Sequence, residues 1–313
     1  MKSLVSGATG FIGRHLCQQL RRRGDAVIAL SRSGAVLADG TPTLALDLAG
    51  EMPARALFEG VEVVYHLAGI AHQKARAEAY RALNELATLQ LARQSAAAGV
   101  KCFVFLSSVK AMGPAAGDRE RTESDCTAPT DPYGWSKWSA ENALLAEFAH
   151  SSMAVVILRP ALVYGPAVKG NLALLARAVR FGLPRPPPLG ARSMVALPDL
   201  VDLLCLVAAR ATSGVQTWIV TDGEHYTTRF IYDQLRLAAG KGTAPGWLPR
   251  WGWRLAAALL DHGRAAPGES TFDKLFGTEL YCNRAVLAAT DWRPRTRLQD
   301  VATELMVAQA GVR

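Results

Sequence analysis

VSGATGFIG, residues Val5 to Gly13, is the stretch on which the fold turns. The apolar pair Leu4 and Val5 leads in as a strand, and the run from Phe11 to Arg23 has helical character. Between them stand Gly7, Gly10 and Gly13. In that spacing one glycine permits a tight turn, one lets backbone approach a phosphate, and one lets helix and strand pack closely. The N-terminus of the following helix offers free N–H groups and partial positive charge to an anion. With strand before and helix after, Gly7, Gly10, Phe11, Ile12 and Gly13 read as a cradle for a dinucleotide pyrophosphate.

Working outward, short apolar strands alternate with helices. Strands are expected at Ser3–Ser6, Ala26–Leu30, Thr43–Leu46, Val61–Leu67, Cys102–Leu106 and Val155–Leu158. Helices are expected at Phe11–Arg23, around Ala54–Glu59, at Glu78–Ala98 and at Tyr133–His150. Strands apolar on both faces imply a parallel sheet covered by helices on both sides. The expected fold is α/β, a doubly wound parallel sheet of the Rossmann kind over residues 1–165. A smaller, proline-rich region over 166–313 is expected to bind substrate, with segments such as Thr217–Val220 returning to the sheet.

The 313 residues are half apolar, ample for a core, and no apolar run reaches the length of a membrane span. MKSLVSG enters strand and glycine loop at once, which leaves no room for a signal peptide. Five widely spaced cysteines without a CxxC argue against disulfides and against a zinc site. A cytoplasmic protein without metal is expected. The net charge of +8 is scattered, and only Arg21–Arg23 cluster, on the exposed end of a helix. No nucleic-acid partner is expected; the surplus suits an anionic nucleotide. The stretch 246–260, GWLPRWGWRLAAALL, is either a helix covering the substrate region, the favoured reading, or an amphipathic helix touching membrane.

Ser31 and Arg32 end the second strand, where an acid would hold an NAD ribose hydroxyl. Serine and arginine instead welcome a 2′-phosphate, so NADP(H) is favoured and NAD(H) remains possible. Arg32 otherwise stacks on adenine or faces water. Asp47, beside Leu48, either meets the adenine amino group or caps the next turn. Leu67, Ala68 and Gly69 end the fourth strand and flank the nicotinamide-side ribose.

The fifth strand delivers Ser107 and Ser108 at its C-terminal end, where ligands sit in such sheets. YGWSK then puts Tyr133 and Lys137 one helical turn apart. A tyrosine titrates near pH 10, and a neighbouring ammonium is expected to lower that value so that it can exchange a proton with substrate. Ser108 would orient the substrate oxygen. Asn84, a poor helix former inside a helix, either bridges active-site polar groups or waters or has a local structural role.

GATGFIG, HLAG, FLSSVKAMG, YGWSK and LRPALVYGP, with the closing TDWRPRTRLQDV, together resemble the extended short-chain dehydrogenase/reductase family. That group contains UDP-glucose 4-epimerase and nucleotide-sugar reductases. The resemblance implies that Ser108, Tyr133 and Lys137 are the catalytic triad and that Pro160 and Val163 lie beside the nicotinamide. It places Asn171 near the nucleotide phosphates and Arg192 against the diphosphate of a nucleotide-sugar substrate. Asn171 is equally readable as a helix N-cap. His72 reads as a sugar contact or as a loop histidine.

A narrower likeness, in SSVKAMG, YGPAVKGN and GLPRPPPLGARSMVALPDLVD, is to bacterial reductases of nucleotide-linked 4-keto-6-deoxy-N-acetylhexosamines used for O-antigen and other surface polysaccharides. It implies NADPH-dependent 4-ketone reduction; the alternative is an NAD-dependent UDP-hexose or UDP-N-acetylhexosamine 4-epimerase. Val109 and Lys110 replace the Asp-Glu pair of the family's dehydratases, which argues against dehydration. Ala111-Met112-Gly113 replaces a common Val-Tyr-Gly. Relatives often dimerise through the helix carrying the Tyr and Lys, so a homodimer is expected, although Leu144, Leu145 and Phe148 also fit a core.

Overall fold

The computed structural model describes residues 1–71, 75–115, 117–168, 170–210, 212–262 and 270–310. Seven strands form the main sheet: β1 (Lys2–Ser6), β2 (Ala26–Ser31), β3 (Leu44–Ala45), β4 (Val63–His66), β5 (Cys102–Leu106), β6 (Ala154–Pro160) and, past two strands of a second sheet, β9 (Gly214–Val220). Their order is β3-β2-β1-β4-β5-β6-β9, and every pairing is parallel. The order reverses between β1 and β4, which opens a crevice at their C-terminal ends. Chain from the second half does return to the sheet, as β9 beside β6. A small sheet joins β7 (Leu162–Tyr164), β8 (Arg192–Ala196) and β10 (His225–Tyr226) in the order β10-β8-β7.

Alternating side chains feed two cores. Val5, Val63, Tyr65, Val104, Val156 and Leu158 face one side, with Leu16 and Leu20 of α1 (Gly13–Arg22). Leu4, Val64, Phe103, Phe105, Val155 and Ile157 face the other. There they meet α3 (Ala87–Ala97) and α4 (Pro132–Phe148) through Leu91, Leu144 and Phe148. Leu144 and Phe148 are therefore core, while Leu145 is exposed.

Two expected helices differ. The stretch around Ala54–Glu59 is a single 3-10 turn, Arg55–Phe58. The helix expected over Glu78–Ala98 is α2 (Ala77–Tyr80), a π turn over Arg81–Leu86, and then α3. Asn84 sits in that π turn, buried. The remaining helices are α5 (Asn171–Arg180), α6 (Leu197–Arg210), α7 (Thr228–Ala238), α8 (Arg250–Asp261), α9 (Thr271–Phe276), α10 (Arg284–Ala289) and α11 (Leu298–Ala310). Asp199 of α6 ties the closing segment down: its carboxylate accepts from Arg295 N at 3.0 Å, Thr296 N at 2.9 Å and Thr296 Oγ1 at 3.2 Å.

Candidate active site

The three glycines fold into one knot against the exit of β4. Gly7 takes φ +69°, and a Cβ there would stand 2.7 Å from Ala68 N. A Cβ on Gly10 would meet Gly7 O at 3.0 Å, and one on Gly13 would overlap that carbonyl. Helix α1 begins at Gly13 with no side-chain cap at Ile12 and no acid in its first turn. The N–H groups of Arg14 and His15 close the first turn on Gly10 O at 3.2 Å and Ile12 O at 3.1 Å, and the partial positive charge of the helix start faces the glycine knot, so the loop fits a dinucleotide pyrophosphate.

The other cofactor candidates lie along the same edge. Ser31 is buried, and its hydroxyl is 2.6 Å from Thr43 Oγ1 and accepts from Ala35 N at 3.2 Å. That hydroxyl serves the fold, and the exposed Arg32 is the group left for a ligand. Asp47 caps a turn, accepting from Ala49 N at 3.2 Å, beside the buried Leu48. Leu67, Ala68 and Gly69 form the wall opposite the glycines; a Cβ on Gly69 would stand 3.0 Å from Asn84 Oδ1 and 3.4 Å from Lys137 Nζ. Pro160 ends β6, and Val163 of β7 packs on the core that also takes Phe11 and Ile12.

Helix α4 starts cleanly because Asp131 accepts from Gly134 N at 2.9 Å and Pro132 fills the first turn. It thereby sets Tyr133 and Lys137 against the end of β5. Ser108 hydrogen-bonds Tyr133 side chain to side chain. Lys137 Nζ donates to Leu106 O at 2.8 Å and lies 4.5 Å from the centroid of the Phe105 ring. Burial pushes the Tyr133 phenol up to about 12, against the pull of the Ser108 hydrogen bond. Burial also brings Lys137 down to about 8, against the Glu141 carboxylate. The lowering expected from the lysine is therefore not what the chain alone shows: the phenol is raised, and desolvation of the phenolate is the largest effect.

Two buried networks lie beside these three residues, and the partners within them were not anticipated. In the first, Ala68 N donates to Ser6 Oγ at 3.3 Å, and Ser6 Oγ is 2.7 Å from His66 Nδ1. His66 Nε2 is 2.9 Å from Thr88 Oγ1, which donates to Asn84 O at 2.8 Å. Thr88 has one proton and has placed it, so His66 donates from Nε2 and accepts from Ser6 at Nδ1. Burial, aided by the Lys137 charge, holds His66 neutral, down to about 3. Asn84 continues the chain: Oδ1 accepts from Ile70 N at 2.8 Å, and Nδ2 donates to Ile70 O and Ser136 Oγ, each at 3.0 Å. Asn84 thus ties the segment after β4 to α4. A histidine at the end of a fully buried strand was the available signal.

In the second network the buried Glu141, one turn beyond Lys137, takes Arg159 through Nη2 at 2.7 Å and Nε at 3.1 Å, and Ser107 Oγ at 2.5 Å. The i+4 spacing of Lys137 and Glu141 signals a shared face, but the partner on β6 is invisible until the fold brings it near.

At the start of β8, Arg192 Nη2 donates to the carbonyls of Lys274 at 3.0 Å and Leu275 at 3.2 Å, in the last turn of α9. Its neighbour across a bridge, Glu279, pairs with Lys110 at 2.6 Å. Gly170 takes the N-cap position of α5, so Asn171 is its first residue and not its cap. The Asn171 side chain and His72 lie outside the described residues.

The profile of the NAD dependent epimerase/dehydratase family matches residues 3–221. A UDP-glucose 4-epimerase of Vibrio cholerae is 35% identical over 314 residues, covering 95% of this chain and 92% of that protein. A dTDP-6-deoxy-L-talose 4-dehydrogenase (NAD(P)(+)) of Kitasatospora kifunensis is 27% identical, covering 98% and 95%. Among solved structures, a Thermus thermophilus UDP-glucose 4-epimerase in complex with NAD aligns with a TM-score of 0.77 at 25% identity, over 100% of both chains. MoeE5 in complex with UDP-glucose and NAD aligns at 0.77 and 24% identity over 99% of both, a likeness of fold.

Proposed function

Since the chain belongs to the NAD dependent epimerase/dehydratase family, within the extended short-chain dehydrogenases/reductases, we propose that it reduces the C4 ketone of a UDP-linked 4-keto-6-deoxy-N-acetylhexosamine with NADPH, for surface polysaccharide synthesis. The bound dinucleotide supplies the hydride. Tyr133 delivers a proton to the substrate oxygen, Ser108 orients that oxygen, and Lys137, fixed on Leu106 O, keeps a positive charge beside the phenol. Gly7 to Gly13 hold the pyrophosphate. Arg32 carries the reading of net reduction: it is an exposed cation at the end of β2, where the adjacent Ser31 is turned into the fold. Arg192 and Asn171 are assigned to the nucleotide side, and α3 and α4 to a homodimer contact.

A second reading, a UDP-hexose 4-epimerase using the same triad with retained NAD, is favoured by the Vibrio cholerae relative. Purified protein mixed with NADPH and the UDP-4-keto-6-deoxy sugar separates the two. Loss of NADPH absorbance matched by a 6-deoxy product supports reduction. No loss, with NAD released on denaturing the protein, moves the assignment to the epimerase. Tyr133→Phe should lower turnover by roughly 10²- to 10⁴-fold with cofactor affinity kept, and near-normal turnover would remove Tyr133 from the proton step.

A further inference from the structure

Helix α8 has two dissimilar faces. Gly252, Trp253 and Ala257 are buried, and Trp253 meets Phe276 of α9 edge-on, ring centroids 5.8 Å apart. This face packs the helix against α9, as a covering helix would. The other face carries Trp251, Leu255 and Leu259, four residues apart each time, so they share one stripe. Trp247 lies just ahead of the helix. Trp247, Trp251 and Leu259 are each 69% exposed and Leu255 is 55% exposed. One tryptophan and two leucines in one exposed row, with a second exposed tryptophan just ahead of the helix, mark an interaction site.

The charge around that row has one dominant sign. Residues 241–262 contain Lys241, Arg250 and Arg254 against Asp261 alone. Arg250 and Arg254 are exposed. Lys241 Nζ donates to the carbonyls of Val179 at 3.1 Å and Arg180 at 2.8 Å, next to the exposed Phe181. No helix among the described residues is long and apolar enough to cross a membrane. Tryptophan and leucine on one face with arginine beside them is the composition of a helix that lies in the plane of a bilayer surface.

We infer that α8 docks onto an anionic lipid surface, with Trp247, Trp251, Leu255 and Leu259 at the acyl boundary and Arg250 and Arg254 among the phosphates. This inference is independent of the reaction catalysed. The test is co-sedimentation of the whole chain with vesicles of phosphatidylcholine alone or of equal parts phosphatidylcholine and phosphatidylglycerol. Binding to the mixed vesicles that weakens with salt is expected, with little binding to the uncharged ones. The double variant Leu255→Glu/Leu259→Glu should bind mixed vesicles about a hundredfold less, since both side chains lose their lipid contact. Its catalytic turnover should be unchanged. Quenching of tryptophan emission by brominated lipid in the unaltered chain gives a readout that does not depend on the variant folding. No binding, no quenching, equal binding to uncharged vesicles or equal binding by the variant overturns the inference. So does a lipid-free dimer that the variant dissolves, which gives the face to a second copy.

Discussion

Arg32 and His66 show two opposite uses of a cationic side chain. Arg32 is exposed at the end of β2, while the adjacent Ser31 hydroxyl is already bonded to Thr43. Replacing it with an acid should repel a 2′-phosphate, so Arg32→Asp is expected to shift preference from NADPH toward NADH. Comparing kcat/KM for the two cofactors checks this; an unchanged ratio removes Arg32 from the cofactor site. His66 is held neutral inside the sheet, with its pKa brought from 6.5 down to about 3. Between those values the unfolded chain binds a proton that the folded chain excludes. Stability therefore falls as pH drops below 6.5, by up to about 1.4 kcal/mol per pH unit. His66→Gln should flatten that part of a melting-temperature profile. An equally steep acid limb in the variant would show that other groups set it.

At the level of elements, α4 and β6 are joined by a buried charge pair, Glu141 with Arg159. Removing one partner strands the other in the core, so Glu141→Gln should cost about 3 to 5 kcal/mol, measured by denaturant unfolding. Glu141 also holds the Lys137 pKa up against burial. Its removal should bring Lys137 below about 8 and shift the alkaline limb of the activity profile to lower pH. An unmoved limb would uncouple the two residues. The parallel strands and α4 were legible because their signals are local: apolar runs, a proline and an aspartate before YGWSK. The π turn was not. Asn84 announces itself as a poor helix former, but the three groups that reward its placement, Ile70 N, Ile70 O and Ser136 Oγ, come from other elements.

Across the whole molecule, segments far apart in the chain are tied together. Asp199 binds the amides of Arg295 and Thr296, Tyr164 Oη lies 2.9 Å from Thr296 O, and Lys110 pairs with Glu279. Asp199→Ala should leave those amides without a charged acceptor and cost about 3 kcal/mol, with faster amide exchange at Arg295 and Thr296. Slow exchange there would mean that Trp292, buried with its Nε1 2.9 Å from Asp199 O, holds the segment unaided. Such long-range ties were beyond the sequence. Nothing near Arg192 in the chain hints at the carbonyls of Lys274 and Leu275 that accept from its Nη2. The separation also imposes an order on synthesis. The glycine knot, the relay through His66 and the triad with Glu141 all lie within residues 6–141, and they have left the ribosome while Glu279 and Thr296 are still untranslated. A nascent chain folding from its N-terminus builds the nucleotide edge first, and the opposite wall closes only near the end of translation.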